Sequence, residues 1–179
     1  MLKKNDEIYL TVKSCTVQGS GVCDYDGMTV FVRGAVTGDR VLAHIIKVKK
    51  TYAVGIIKKL IQRSPMRAKN FCPIAEKCGG CCFAHIKYES ELEIKAQQVA
   101  DNFKRLGKLD ITPAPIIPSP SAERYRNKAQ YPVGSDGKFA TIGFYAPMTH
   151  RIIDCASCLL QPKELAKITD IFRDWIRMK

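Results

Sequence analysis

The chain has 179 residues, enough for one ordinary domain or two small ones, and a formal net charge of +12. Thirteen of the 29 basic and only five of the 17 acidic residues stand before position 71, so the positive excess is concentrated in the N-terminal part. That balance favours a polyanionic partner such as RNA, DNA or an anionic surface. No run of 18 apolar residues occurs, which excludes a transmembrane helix and leaves no membrane among the expected partners.

"MLKKND" lacks the apolar stretch of a signal peptide. The expected compartment is therefore the cytoplasm, where disulfides are rare and clustered cysteines point to metal or catalysis.

In chain order, residues 1–63 read as a small β-barrel of the OB kind with five short strands. Ile8, Leu10 and Val12 alternate with Tyr9, Thr11 and Lys13. Asp26-Gly27 is a tight-turn signal before the strand "MTVFV". "TGDR" forms the next turn, and "VLAHIIKVKK" and "YAVGIIKKLI" are two strands joined near Lys50-Thr51. A basic link with Arg63, Arg67 and Lys69 leads into a cysteine-rich loop, residues 64–86.

Residues 87–110 hold a helix. Ser90 with Glu93 is a capping-box signal. Leu92, Ala96, Val99, Phe103 and Leu106 form one apolar stripe, and Gly107 suits the stop. Residues 111–179 open on "TPAPIIPSPS", whose four prolines impose an extended or irregular course. A β segment from about Tyr125 to Ile153 contains a hairpin at Asp136-Gly137. The last helix has Pro162 near its start and Leu165, Ile168, Ile171, Phe172, Trp175 and Ile176 as apolar residues. The fold class is thus mainly β with flanking helices, α+β.

Eight cysteines punctuate the chain. Cys72, Cys78 and Cys81 make C-x5-C-x2-C, with Gly79-Gly80 freeing the tight turn. Three thiolates do not complete a structural zinc site, and an iron–sulfur cluster commonly draws its fourth cysteine from a distance. Cys82 adjoins Cys81, and neighbouring side chains rarely converge. Cys155 and Cys158 are both candidates, and spacing does not separate them. "CASC" also permits a zinc set of Cys78, Cys81, Cys155 and Cys158, which would leave Cys72 unexplained. Cys15 and Cys23 read as small packed residues.

Candidate phosphate and stacking contacts on RNA are Arg33, Lys47, Lys49 and Lys50, with Tyr52 as an aromatic surface. Arg124, Arg126 and Lys128 alternate, so on a strand they would share a face. His150 and Arg151 stand near Cys158, and His85 reads as an orienting hydrogen-bond donor.

"CPIAEKCGGCCFAHIKYESELEIKAQQV" resembles the iron–sulfur motif of the RNA uracil-C5 methyltransferase family, 23S ribosomal RNA branch. The matching positions are Cys72, Pro73, Cys78, Gly79, Gly80, Cys81, His85, Tyr88 and Lys95. "GSGVCDYDGMTVFVRGAVTGDRV" is similar to that family's RNA-binding TRAM barrel, and "YRNKAQYPV" and "IGFYAPMTHRIIDCASCLLQP" to its central β domain. The resemblance implies a [4Fe-4S] cluster held by Cys72, Cys78, Cys81 and, through a D-x3-C match at Asp154 and Cys158, by Cys158. It implies ribosomal RNA as partner. It also implies that the S-adenosylmethionine site, the nucleophile and the base belong to a catalytic domain absent from this chain, which alone would be inactive. The 90–106 helix would pack on that domain. The alternative is a stand-alone zinc- or cluster-binding nucleic-acid module.

Overall fold

The computed structural model describes residues 1–69, 72–135 and 139–178. Two units divide the chain: residues 1–69 with 85–117, and residues 70–84 with 118–179.

The first unit is built on six strands: β1 (Glu7–Thr11), β2 (Ser14–Cys15), β3 (Ser20–Tyr25), β4 (Met28–Arg33), β5 (Arg40–Val48) and β6 (Tyr52–Gln62). They form one curled sheet in the order β1-β5-β6-β4-β3-β2. Its neighbours are antiparallel except β4 and β6, which run parallel. The sequence reading counts five strands and takes residues 18–23 as a break; the structure has six, with β3 running through Ser20–Tyr25 and a two-residue β2 too short to show a period. Three register shifts between β5 and β6 mark bulges, which bend a sheet and raise its twist.

Period-two alternation sends Ile8, Leu10, Val30, Val32, Val41, Ala43, Ile45 and Ala53 into one core. Cys15 and Cys23 are buried in the same unit, as their apolar settings predict. Asp26 and Gly27, with φ of 49° and 80°, make the β3–β4 turn that the sequence announces. Gly21 is needed for close packing: a Cβ there would stand 2.7 Å from Val12 Cγ1 and 2.9 Å from Ala35 Cβ.

Helix α1 (Tyr88–Arg105) belongs to this unit. Its start differs from the capping-box expectation at Ser90: the N-cap is Lys87, with no side-chain cap. The reason is tertiary. Arg67 bridges Ile86, and Lys87 N donates to Met66 O at 2.8 Å, so the chain leaves that pairing directly into the helix. Only Ile94 of α1 is buried, while Gln98 Nε2 donates to Cys15 O at 3.1 Å. Val99, Phe103 and Leu106 of the expected stripe are exposed. At the helix end Lys108, not Gly107, takes the positive φ of 55°.

The second unit carries a three-stranded antiparallel sheet: β7 (Val133–Ser135), β8 (Ala140–Tyr145) and β9 (Ile152–Asp154). The turn expected at Asp136-Gly137 lies outside the described residues. Residues 125–132 are not a strand, contrary to the alternation reading of "RYRNK". The start of this segment is instead tied to the 158–161 turn: Arg124 N and Arg126 N donate to Leu159 O and Leu160 O, both at 2.9 Å.

Helix α2 (Lys163–Arg177) follows Pro162, which is its N-cap. Its buried residues are Thr169 and Arg173, whereas Ile168, Ile171, Phe172 and Trp175 are exposed. The apolar residues of the sequence stripe are therefore mostly outside. The charged Arg173 takes a buried place because Asp154 Oδ1 and the carbonyls of Ile142 and Cys155 accept its hydrogen bonds.

Candidate cysteine site and basic sheet face

Cys72, Cys78, Cys81, Cys82, Cys155 and Cys158 all belong to the second unit, and none is in a disulfide. The loop carrying the first four is folded by local bonds: Ala75 N and Cys78 N donate to Cys72 O and Ile74 O at 3.1 and 2.9 Å. Gly79 anchors it to the sheet, its N–H reaching Tyr145 O at 2.9 Å. A Cβ at Gly79 would lie 2.7 Å from that same oxygen, so only glycine fits. Gly80 N–H points to Cys78 Sγ at 3.3 Å, a donor that favours the thiolate.

The thiols sense one another. Burial pushes the Cys78 thiol up; the Gly80 N–H is the next largest influence and pulls it down, and Cys72 and Cys158 add smaller raising effects. Burial followed by Cys158 and Cys78 raises Cys81 to about 11, with Arg126 acting in the opposite direction. Cys155 is raised to about 12, first by burial and then by Cys158, Cys72 and Cys78. Several thiolates crowded into a half-buried place repel, and a bound cationic centre would relieve that repulsion. Among the described residues, no three His, Cys, Asp or Glu side chains are gathered around one point as a single metal ion would require. The thiol groups of this unit are of the kind that bind a thiolate-ligated cluster, were one to be held here.

Cys155 and Cys158 differ in setting. Cys155 is buried, its N–H bound to Ile142 O at 3.0 Å. Cys158 is half-buried at the start of a turn closed by Gln161 N donating to Cys158 O at 3.1 Å. Asp154 Oδ1 accepts from Ile142 N at 2.9 Å and from Arg173, so it ties β9 to β8 and α2.

Two aromatic residues near the thiols had no sequence signal. Tyr131 and Phe144 pack at 4.9 Å between ring centroids, and an added Cβ on Gly80 would touch Phe144 at 3.8 Å. Burial, then Cys158 and Cys155, raise the Tyr131 hydroxyl to about 12. Arg126 is exposed and lies 5.8 Å from the Tyr125 ring. Its charge is held on by a hydrogen bond to Tyr125, and Cys81 and Cys158 add to that. Lys128 is exposed, its carbonyl accepting Gln161 Nε2 at 3.3 Å. Arg124 is turned inward: Nη1 donates to Cys158 O at 2.9 Å and to Gln161 O at 2.8 Å. Arg151 is exposed, and His150 stands edge-on to Tyr145 at 5.5 Å beside an open depression lined also by Gly79 and Met148.

The remaining basic candidates lie on the first unit. Arg33 ends β4, and the parallel register pairs it with Ile56 while Thr29 pairs with Tyr52. Thr29, Phe31 and Arg33 therefore share the sheet face opposite the buried Val30 and Val32. Tyr52 meets Phe31 edge-on at 5.7 Å, giving this face an aromatic pair, with Arg33 about 13 Å along from Thr29. Lys47, Lys49 and Lys50 are exposed, and Lys49 N–H closes the β5–β6 turn on Tyr52 O at 2.8 Å.

His85 belongs to the first unit as well. Its Nε2 is buried without a hydrogen-bond partner among the described residues. Burial and then the Arg67 charge depress its imidazole to about 4, against an opposing effect of Asp39. Sequence reading also missed Asp39, taken only as part of a turn. It is fully buried, accepting from Val36 N at 2.7 Å, Ser64 N at 2.9 Å and Arg67 Nη2 at 2.7 Å. The only available signal was a turn Asp and a linker Arg, 28 residues apart.

Fold and site together define a mainly β chain with two helices, a basic sheet face bearing aromatics, and a group of mutually coupled thiols. The chain is similar to RNA methyltransferases. An uncharacterized RNA methyltransferase of Clostridium tetani is 39% identical over 175 residues, covering 98% of this chain and 38% of that protein. One from Halalkalibacterium halodurans is 39% identical over 168 residues, covering 93% and 37%. One from Listeria monocytogenes is 38% identical over 164 residues, covering 92% and 36%. The chain thus spans about two fifths of the length of the curated relatives it matches. A solved structure, the Pyrococcus abyssi tRNA (uracil-54, C5)-methyltransferase in complex with S-adenosyl-L-homocysteine, shares the fold. Its TM-score is 0.64 at 22% identity, covering 94% of this chain and 37% of that one. No family model matches the chain.

Proposed function

We propose that this chain is the RNA-recognition and iron–sulfur-binding portion of an S-adenosylmethionine-dependent 23S ribosomal RNA (uracil-C5) methyltransferase. The observation that carries the reading is the continuous similarity to RNA methyltransferases over nearly the whole chain, within which the coupled thiols lie. Cys72, Cys78, Cys81 and Cys158 are the proposed ligands of a [4Fe-4S] cluster. When bound, the cluster would cross-link the 72–81 loop to the turn at Cys158. Around it, the chain's own groups act by position: Gly79 fixes the loop on β8, the Gly80 N–H favours the Cys78 thiolate, and Arg126 offsets negative charge at Cys81 and Cys158. Cys158 is preferred to Cys155 because Cys155 is buried and its backbone is bound into the sheet edge.

The first unit is the proposed TRAM-like RNA surface. Arg33, Lys47, Lys49 and Lys50 would contact phosphates and Tyr52 would stack a base. Arg126, Lys128 and Arg151 are proposed as further RNA contacts of the second unit. Methyl transfer is assigned to the part of the relatives' length that this chain does not match, and α1, through Val99, Phe103 and Leu106, is proposed to pack there.

The test is anaerobic purification followed by iron and sulfide analysis and RNA binding at several salt concentrations. About four irons per chain, brown colour, and an affinity for uridine-containing RNA that falls steeply with salt are expected. A colourless, zinc-loaded protein would overturn the cluster, and salt-independent binding would overturn the phosphate contacts. Methyl transfer by this chain alone would overturn the assignment of catalysis elsewhere.

A further inference from the structure

We infer that Arg124 is a positioning residue for the fourth thiolate, holding the Cys158 turn in place from behind, and not a phosphate contact. The inference rests on the proposed reading of Cys158 as a ligand. Its geometry stands independently. One guanidinium nitrogen, Nη1, bridges two carbonyls at the ends of the same turn, Cys158 O at 2.9 Å and Gln161 O at 2.8 Å. Arg124 N donates to Leu159 O and Arg126 N to Leu160 O, both at 2.9 Å. Gln161 is 3% exposed and returns a bond from Nε2 to Lys128 O at 3.3 Å. The turn is thus fixed at four consecutive residues, 158 to 161, by a segment with no regular secondary structure of its own.

The backbone at Arg124 supports the same reading. Its φ is +59°, a conformation that side chains other than Gly and Asn disfavour. Such a conformation persists only where its surroundings over-determine it. Here it turns the guanidinium toward the carbonyls of the turn while the backbone continues along 159–160. Arginine suits the task because its donors sit in a rigid planar fork; an ammonium is a mobile point donor. Fixing the carbonyls on both sides of Leu159-Leu160 fixes the direction in which Cys158 Cα presents its sulfur. Partners that orient a ligand commonly alter metal retention by about tenfold to a hundredfold when removed.

The experiment compares the wild-type chain with R124K, R124Q and C158S, each reconstituted anaerobically with iron and sulfide. Three readouts are taken: iron loss to a chelator, the electron paramagnetic resonance spectrum of the reduced cluster, and the salt dependence of binding to a single-stranded oligouridine. R124K and R124Q are expected to load iron but lose it about tenfold faster than wild type, with a shifted or broadened spectrum. Their salt slope should equal that of wild type. R124K retains the charge, so a spectral shift in that variant identifies orientation as the cause. Its melting without iron is measured alongside; faster loss accompanied by an unchanged spectrum and a collapsed iron-free fold would overturn the positioning role. Iron retention and spectra equal to wild type, or a salt slope reduced by about one contact, would also overturn it. A wild-type chain that takes up no iron would overturn the ligand reading itself, an outcome distinct from equal retention in wild type and variants.

Discussion

The two units reach order by different means. The first has a continuous apolar core, with Val30, Val32, Val41, Ala43, Ile45 and Ala53 at 0% exposure, and one buried ion pair sealing its edge. The second has few wholly buried apolar side chains, packs α2 through Thr169 and Arg173, and leaves Ile168, Ile171, Phe172 and Trp175 outside. The hydrophobic effect supplies most of a small domain's stability and scales with apolar area removed from water. The first unit therefore carries its own stability. The second relies on specific polar ties, the Arg173 bonds to Asp154, Ile142 and Cys155 among them.

The largest test of that contrast is Asp39→Ala. It leaves Arg67 charged with its side chain only 11% exposed, and removes acceptors from Val36 N and Ser64 N. A loss of about 3–5 kcal/mol is expected in urea unfolding followed by far-ultraviolet circular dichroism. Fluorescence of the single tryptophan, Trp175 on α2, should report a transition little changed. A shared shift in both signals would show that the two units unfold as one.

Chelation gives the converse. Cys81 and Cys158 are 77 residues apart, so the proposed cluster, if it joins them, would close a long loop. By loop-closure entropy its removal should weaken the second unit by up to about 4 kcal/mol. Hydrogen exchange should accelerate in β8, β9 and the 158–161 turn and stay constant in β4 and β5; equal acceleration in both would break the contrast.

A smaller effect comes from pH. The folded His85 titrates near 4, below its ordinary value of 6.5, so the unfolded chain binds the proton more readily in that window. The contribution of neutral His85 is fully present above about 6.5 and declines as pH falls toward 4. His85→Phe should flatten the decline in the circular dichroism midpoint over that range. An unchanged profile would show that His85 is not the titrating group.

The smallest expected effect is on stability and the most visible on behaviour. Ile171→Gln with Phe172→Gln should change unfolding free energy by about 0.5 kcal/mol or less per site, because both side chains are already exposed. The same pair should reduce apolar-dye binding by the folded chain. Undiminished dye binding would place the exposed apolar surface elsewhere.

Sequence patterns were legible where a local rule faced no competitor. The barrel strands follow period two because each buries a single face, and Asp26-Gly27 turns because its positive φ angles suit those residues. Patterns misled where distant backbone claimed the same groups. Ser90 yields to Lys87 as N-cap because Met66 and Arg67 pair with the preceding residues. "RYRNK" alternates like a strand, yet its N–H groups are spent on the 159–160 carbonyls. The stripe of α2 is amphipathic as read, but the side facing the sheet is chosen by Asp154 and the carbonyls of Ile142 and Cys155, which accept from Arg173.

The sequence by itself determined the mainly β class, the Asp26-Gly27 turn, the two helices and the grouping of cysteines by spacing. Those depend on local conformational preference and hydrophobic period, which are written residue by residue. Tertiary structure alone decided that Asp39 is a buried anchor, that Cys155 is enclosed while Cys158 heads a braced turn, and that Arg124 faces inward although its neighbours Arg126 and Lys128 face water. Each of those depends on hydrogen-bond partners distant in the sequence, from 13 residues for Cys155 to 37 for Arg124, and which charge is buried is settled by where acceptors meet, a property of the assembled fold.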